Sequence, residues 1–262
     1  MGAYISAIHW AAWGRLVIIS IIAVFGLVVF VVFPLLILAA SYFERLTLRK
    51  LDPADASATK GKNEPVVDAA LCAGLQNIGT FMDRRGQFMS GGITMLLSAD
   101  GLILLAVVHS RVGRYSLTTR LQSGRRIRTA DVSGVRDLSG LEDQQMLPGV
   151  PLEVVIYYHQ QRVAAAEEPA TPFDPASLAD EEYTFQRERV ARMVQMGLAR
   201  YRDPEQTSWS YSMQGAWQLA WQHVRTASNV KQQSELAKAK AAEFTQWRIA
   251  TAKSPMRSQS IF

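Results

Sequence analysis

Between Arg15 and Glu44 lies a run of 28 uncharged residues, and this run constrains the fold more than any other feature of the chain. Twenty of its residues are Leu, Ile, Val or Phe, so leaving it in water would be costly. As an α-helix the run is about 42 Å long, against a hydrocarbon core of about 30 Å. We therefore expect a transmembrane helix over residues 16–43, with a tilt, a bend at Pro34, or ends that reach the interface.

The residues that flank this run predict its orientation. Before it, the short tail holds only Arg15, whereas several basic residues follow it: Arg45, Arg49, Lys50, Lys60 and Lys62. Positive charge marks the cytoplasmic side of a membrane-spanning helix. We expect a single-pass protein, in the setting of a bacterial inner membrane, with residues 44–262 in the cytoplasm.

Charge and cysteine content narrow the class of protein further. The net charge of +5 fits an anionic lipid surface beside the anchor as well as it fits nucleic acid. The single cysteine, Cys72, excludes an internal disulfide framework and agrees with a reducing compartment. We expect its side chain to be small, apolar and buried.

The predicted fold class is a membrane-anchored α+β protein. It has one N-terminal transmembrane helix, a small and mainly antiparallel sheet with a helix, and a C-terminal helical region. The predicted segments are a tail (1–15), the transmembrane helix (16–43), a linker (44–64), an α+β domain (65–163), a proline-rich linker (164–179), a helical region (180–252) and a second tail (253–262).

The apolar stretch from Ile93 to Ser110 admits two interpretations. It is apolar enough for a second membrane span, which would move everything after it to the other side of the membrane. However, Asp100-Gly101 stands in its middle, and Asp-Gly between two β-like runs indicates a hairpin. Because a carboxylate at the centre of a bilayer would cost about 2.5–3.5 kcal/mol, we favour the buried hairpin.

Other elements are predicted from periodicity and from flanking residues. Apolar residues at three- and four-residue steps predict a helix from Pro65 to Met82. Residues with high β-propensity predict three strands, over Tyr115–Leu121, Arg126–Val132 and Leu152–His159. Ser177 with Asp180, and later Asp203-Pro204, predict the starts of two further helices.

The densest charged segment is basic, with seven arginines and one acidic residue between His109 and Arg136. Because arginine holds phosphate oxygens at two points, these strands are candidates for contact with an anionic ligand or a lipid headgroup. The candidate residues are Arg111, Arg114, Arg120, Arg125, Arg126 and Arg128. The alternative is a solvated strand face, or one that meets an acidic neighbour protein. No aromatic residues are interleaved for base stacking, which argues against nucleic acid as a partner.

Asp137-Leu138-Ser139-Gly140, which follows these arginines, makes the region similar in outline to PilZ cyclic-dinucleotide domains. That family carries two arginines four residues apart and later an Asp/Asn-x-Ser-x-x-Gly motif. Here that spacing is absent from the pair Arg111 and Arg114 and from the pair Arg120 and Arg125, and glycine directly follows the serine. The resemblance therefore adds a cyclic dinucleotide to the candidate ligands and does not assign the chain to the family.

Aromatic residues form a second cluster in the C-terminal region. Tryptophan and tyrosine are enriched at binding hot spots, so this cluster is a candidate docking surface for a partner. Its members are Trp209, Tyr211, Trp217, Trp221 and Trp247. The alternative is a core between packed helices.

The sequence carries no recognisable catalytic constellation. Its four histidines lack metal-ligand spacing, and none of the CxxC, HExxH, GxSxG or phosphate-binding Gly-rich patterns occurs. We expect no catalytic residues, no metal and no cofactor.

The favoured function is a non-enzymatic scaffold or accessory subunit of a multiprotein membrane assembly, such as a secretion or conjugation machine or a respiratory complex. Its expected partners are other subunits and the lipid bilayer, with anionic lipid as one component. The alternative is a membrane-tethered sensor that binds an anionic ligand through the arginine-rich strands.

Overall fold

The chain begins, where the structure describes it, with three helical segments that follow one another without a break. They are α1 (residues 17–27), a π-helical segment (Val28–Val32) and α2 (Phe33–Phe43). This computed structural model describes residues 17–48, 50–54, 64–83, 91–109, 114–132 and 136–252. Within those ranges, no helix is by itself long and apolar enough to cross a membrane.

The rest of the described chain contains eleven strands and four helices. The strands are β1 (Leu46–Thr47), β2 (Asp52–Pro53), β3 (Gln76–Asp83), β4 (Gly91–Leu97), β5 (Leu104–His109), β6 (Arg114–Leu121), β7 (Arg126–Ala130), β8 (Glu142–Met146), β9 (Ala170–Thr171), β10 (Ala199–Tyr201) and β11 (Ser208–Tyr211). The helices are α3 (Glu64–Cys72), α4 (Leu152–Ala164), α5 (Leu178–Gln195) and α6 (Met213–Ala252).

These strands form two sheets. The larger has the order β2-β3-β4-β5-β6-β7-β8, with β9 paired to β6. Its neighbours are antiparallel except for β7 and β8, which run parallel, so the sheet is mixed. The smaller sheet has the order β1-β11-β10 and is antiparallel. It therefore joins the start of the described chain to its last third.

Strands β4 and β5 confirm the predicted hairpin, because Leu97 pairs with Leu104 around a tight turn. The Ser98 hydroxyl donates to Asp100 Oδ1 at 2.6 Å and accepts from the Ile103 amide at 2.9 Å. Gly101 adopts φ = +73°, and a Cβ there would lie 3.1 Å from Pro172. This close approach explains why glycine occupies the turn.

Helices cover both faces of the larger sheet. Leu105, Leu117 and Val107 lie on one face and pack with α3 and α4. Residues of the opposite face, among them Met95 and Leu104, pack against the start of α5. Side chains alternate between the two faces of a strand, so neighbouring residues of β4 and β5 contribute to different cores.

The segment predicted as a proline-rich linker also packs on the sheet. Residues Ala170–Thr171 form β9 against β6, and the side chain of Phe173 is buried in the core between the larger sheet and the start of α5. The Phe173 amide donates to the Gly101 carbonyl at 2.8 Å, which ties the segment to the β4–β5 turn.

Three predicted elements are wrong in kind or extent. Residues Leu152–His159 were predicted as a strand, but they belong to α4 because Leu152, Val155, Ile156 and His159 are buried at helical spacing. The helix predicted from Pro65 to Met82 ends at Cys72, where the chain turns at Gly74 (φ = +97°) into β3. No strand was predicted there.

The third error concerns the helix predicted to begin at Asp203-Pro204. Asp203 instead closes the loop between β10 and β11, because its carboxylate accepts from the Thr207 amide at 2.8 Å and the Ser208 amide at 2.7 Å. Helix α6 begins only at Met213, where the hydroxyl of Ser212 accepts from the Gly215 amide at 3.1 Å.

Helix α6 has 40 residues and connects distant parts of the fold. It packs against α2 and, through its last turns, against α4. The Tyr157 ring of α4 lies 5.5 Å from Phe244 and 5.2 Å from Trp247, measured between centroids. The helix thereby links the N-terminal helical segment to the α+β unit.

Candidate functional site

Three of the predicted anion-binding arginines lie on the α5 side of β6 and β7, paired with carboxylates of the same chain. Arg120 Nη1 lies 2.6 Å from Glu181 Oε2, and Arg126 forms an ion pair with Glu182. Two of these carboxylates come from the first turns of α5, so the pairs fasten that helix to the sheet.

The third pair joins Arg128 Nη1 to Glu142 Oε2 at 3.7 Å. Glu142 belongs to β8, beside β7, so this pair lies within the sheet. The carboxylates that these three arginines contact therefore belong to the same chain and not to a neighbouring protein.

The most deeply buried of these arginines is Arg126, whose side chain is 4% exposed. Its guanidinium carbon lies 3.7 Å from the centroid of the Phe185 ring, and its carboxylate partner is 14% exposed. A charge this deep requires a partner, because water is not there to solvate it. The pair is a structural element between sheet and helix.

The remaining predicted arginines are not brought together. Arg111 lies outside the described residues. Arg114 opens β6, and Arg125 stands in the turn after that strand, and both are exposed. Eight residues of strand place them about 25 Å apart, which is too far for one small anion. Binding of an anionic ligand by this set stays a prediction.

The Asp137-Leu138-Ser139-Gly140 motif folds into a closed turn. The Asp137 carboxylate accepts from the amides of Ser139, Leu141 and Glu142 at 3.1–3.2 Å and from Arg189 Nη2 at 2.9 Å. Burial by itself would raise the pKa of Asp137, but Arg189 and Ser139 hold that pKa below its usual value. The motif anchors the loop before β8 to α5.

A buried histidine that sequence reasoning did not single out lies beneath α4. His159 is 0% exposed, and its two ring nitrogens lie 2.9 Å from the hydroxyls of Thr119 and Thr129. Burial, followed by the nearby charge of Arg162, lowers its pKa to about 3. The imidazole is neutral and closed to solvent, so it cannot exchange protons with a bound molecule.

The five predicted docking residues separate into three places. Trp209 is buried beneath the smaller sheet and makes an edge contact with Tyr211 at 5.1 Å. Trp247 packs on α4, as described above. Trp217 and Trp221 remain on the surface, 52% and 41% exposed, with their rings stacked at 6.5 Å.

These two tryptophans continue a stripe along the first turns of α6. Met213, Trp217 and Trp221 follow one another at four-residue steps, which places them on one side of the helix, and all three are exposed. We call them the tryptophan stripe. The Arg225 guanidinium lies 5.5 Å from the Trp221 ring centroid, so the stripe ends beside a positive charge.

Three arginines surround the end of α2 and form what we call the arginine collar: Arg45, Arg200 and Arg202. Arg200 lies 4.3 Å from the centroid of the Tyr42 ring, and Arg202 donates to the Tyr42 carbonyl at 3.1 Å. Arg45 donates to the Ser208 hydroxyl at 2.9 Å. The pairing of β1 with β11 creates this collar from residues about 160 positions apart, so no local sequence signal reveals it.

A polar cleft separates β8 from the middle of α6. Its lining includes Arg136, Gln144, Asn229 and Gln233. Within the described part of the chain, the buried Oε1 atoms of Gln144 and Gln233 have no hydrogen-bond partner. The amide nitrogen of Gln144 donates to Glu142, so this side chain offers only its oxygen, as an acceptor.

Neither a metal site nor a relative identifies the protein. In the described ranges, no group of three or more His, Cys, Asp or Glu side chains is arranged to hold a metal ion. Comparison with family models, with curated proteins and with solved structures finds no match to the chain.

Proposed function

We propose that the protein is a non-enzymatic subunit of a multiprotein membrane assembly, anchored by residues 16–43. One observation carries this proposal. Among the described side chains between Val17 and Leu36, thirteen large apolar ones are each more than 40% exposed. An apolar surface of this extent is stable in a lipid environment and costly in water.

The backbone of this segment suits a bilayer as well as its side chains do. The three helical segments together cover 27 residues, which is about 40 Å of helix. A π-helical turn widens a helix locally without ending it, so the backbone groups remain hydrogen-bonded within the segment. Internal hydrogen bonding is what the hydrocarbon core demands of a polypeptide.

The arginine collar supports the proposed orientation. It adds Arg200 and Arg202 to the positive charge that follows the anchor in sequence, directly beside the end of α2. Basic residues near one end of a span favour the cytoplasmic side. The α+β unit is accordingly assigned to the cytoplasm in this proposal.

The scaffold role rests on how the α+β unit uses its charged and titratable side chains. Arg126 with Glu182, and Asp137 with Arg189, hold α5 in place, and His159 is closed to solvent. These groups connect one element to another and are not presented in a cleft. A secretion or conjugation machine, or a respiratory complex, provides a setting for such a subunit.

Alkaline extraction of membranes from cells that express the full chain tests the anchor. We expect the wild-type chain to remain with the lipid, and the double variant Ile21→Lys/Phe25→Lys to be released, because two charges at mid-bilayer oppose insertion. A matched control is Leu71→Lys, which adds a charge at an exposed position of α3 and leaves retention unchanged. Release of the wild-type chain would overturn the anchor.

Native electrophoresis in mild detergent tests the subunit role. We expect the chain to migrate within a complex and to move to a lower mass when the detergent is made harsher. Migration as a lone monomer under the mildest conditions would contradict this role, and turnover of a substrate by the purified chain would contradict the absence of enzymatic activity.

A further inference from the structure

We infer that the tryptophan stripe of α6 lies in the headgroup region of an anionic bilayer, so that the first turns of α6 rest on the membrane surface. The stripe consists of Met213, Trp217 and Trp221. This inference rests on the proposed anchor and adds a second, peripheral contact between the protein and lipid.

The length of the helical segment provides the first argument. About 40 Å of helix exceeds a hydrocarbon core of about 30 Å, so roughly seven residues extend beyond the core. Within the segment, the C-terminal portion, α2, packs against α6. Placing the excess length at this end brings the first turns of α6 to the depth of the headgroups.

The geometry of the smaller sheet provides the second argument. Because β1 and β11 are antiparallel, the start of β1 lies beside the end of β11. Helix α2 ends three residues before β1, and α6 begins two residues after β11. Both helices therefore meet the sheet at the same place, and the membrane that holds α2 lies close to the start of α6.

The chemistry of the stripe agrees with this depth. Indole rings favour the boundary between headgroups and hydrocarbon, where the apolar ring is buried and the N–H group remains hydrated. Trp217 and Trp221 are exposed and stacked, while Trp209 and Trp247 are used inside the protein. The exposed pair lies in the first turns of α6, and the start of α6 is placed near the end of α2 by the pairing of β1 with β11.

Charge complementarity selects anionic lipid as the occupant. Arg200 and Arg202 lie at the end of the anchor together with Arg45, which also pairs with Asp203 at 3.8 Å, and Arg225 lies against Trp221. Basic side chains beside a membrane attract the negative headgroups of the cytoplasmic leaflet. A hydrophobic partner subunit would need the aromatic stripe but would gain nothing from this ring of positive charge.

Fluorescence quenching of the full chain in lipid vesicles tests the inference. In a Cys72→Ser background, cysteine is introduced at Trp217 or at Met213 and labelled with an environment-sensitive fluorophore. The matched control is Glu235→Cys, an exposed position farther along α6. Vesicles of phosphatidylcholine contain either about one third phosphatidylglycerol or none, and a nitroxide at the headgroup quenches labels at that depth.

We expect about twofold stronger lipid quenching at positions 213 and 217 than at 235, and weaker quenching without phosphatidylglycerol. If the chain floats with the vesicles but all three labels respond only to a water-soluble quencher, the inference fails and the anchor stands. A third outcome is that neither quencher reaches the labels until the chain is diluted into excess lipid. This outcome would mean that a second copy of the chain covers the stripe, and it would overturn the inference. A chain that does not float would overturn both proposals.

Discussion

At the scale of the residue, Arg126 shows how this protein uses its arginines. The guanidinium is covered by Phe185 and neutralised by Glu182, with almost no access to water. Removing one member of a buried ion pair leaves the other charged and unsolvated. We expect Glu182→Ala to lower the free energy of unfolding by about 3–5 kcal/mol, measured by denaturant titration in mild detergent.

A matched control exists two residues before Glu182. Asp180 pairs with Lys50, and both side chains are more than half exposed. Exposed pairs contribute less than about 1 kcal/mol, so Asp180→Ala should change stability little. The double variant Arg126→Met/Glu182→Leu should recover most of the loss, because it removes both charges and keeps the volume. Equal effects of Glu182→Ala and Asp180→Ala would contradict the structural role of the buried pair.

His159 predicts a pH dependence with a defined sign. Its pKa of about 3 in the folded state lies below the ordinary value of 6.5, so between these values only the unfolded chain takes up the proton. The contribution of neutral His159 to the free energy of unfolding is fully present above pH 6.5. It is lost as the pH falls towards 3, by at most about 1.4 kcal/mol per pH unit.

The variant His159→Gln tests this dependence. The free energy of unfolding, measured from pH 7 down to about pH 4, should fall less steeply for the variant than for the wild type, because the variant has no imidazole to protonate. The variant is expected to be less stable at pH 7, since two buried threonine hydroxyls lose their partner. Parallel slopes for the two proteins would show that His159 titrates normally in the folded state.

Sequence reasoning identified the arginine-rich strands but not the partners of the arginines. The high arginine content of the segment identified Arg120 and Arg126 as candidate binding residues. Their carboxylates stand more than 50 positions later in the chain, and only the packing of α5 brings them within reach. An ion pair that depends on tertiary packing leaves no local pattern, so the same residues were equally consistent with an external anion.

At the scale of the element, Gly215 determines how α6 meets the smaller sheet. A Cβ at this position would lie 1.9 Å from the Leu198 carbonyl oxygen, a distance that the backbone cannot absorb without moving. In an open helix, Gly→Ala stabilises by about 1 kcal/mol. Here we expect the opposite sign, with Gly215→Ala destabilising by about 1–3 kcal/mol because of overpacking.

The neighbouring variant Gln214→Ala provides the control, since Gln214 is exposed in the same turn of α6. Its thermal unfolding midpoint should stay equal to that of the wild type or rise slightly, whereas that of Gly215→Ala should fall. A higher midpoint for Gly215→Ala would show that α6 does not approach Leu198 as closely as the structure indicates.

Elements that depend on local chemistry were predictable, and those that depend on packing were not. The β4–β5 hairpin follows from Asp100-Gly101, whose turn geometry is set by the residues themselves. Leu152–His159 combines strong β-formers with helical spacing. It forms a helix because Val155 and Ile156 pack on the sheet from one face of that helix. The start of α6 at Met213 depends on Ser212, whose hydroxyl donates to the Gly197 carbonyl before β10, a tertiary contact that the sequence does not reveal.

At the scale of the whole molecule, β1 ties the N-terminal helical segment to the C-terminal region. Strand β1 follows the apolar helical segment and pairs with β11, which precedes α6. This pairing places Arg200, Arg202 and the start of α6 beside the end of α2, although the sequence separates them from it by more than 150 residues. The apolar run predicted an anchor, but it contained no information about which later residues would surround it.

The orientation of the molecule can be tested with the cysteine that the chain already contains. Cys72 was predicted to be buried, but it lies exposed at the end of α3, because the buried face of that short helix is formed by Ala70 and its neighbours. A maleimide that does not cross membranes should therefore label Cys72 in inverted inner-membrane vesicles and leave it unlabelled in intact spheroplasts. Cys72→Ser is the control for background labelling.

The labelling result separates three arrangements of the chain. Reaction in inverted vesicles alone agrees with the cytoplasmic assignment that the arginine collar supports. Reaction in spheroplasts alone would place the α+β unit outside and reverse the orientation, while keeping the anchor. Labelling of a chain that alkaline extraction releases would separate the protein from the bilayer altogether. Only the first outcome agrees with α6 resting on the anionic cytoplasmic leaflet, because the collar and the stripe must then face the same lipid surface.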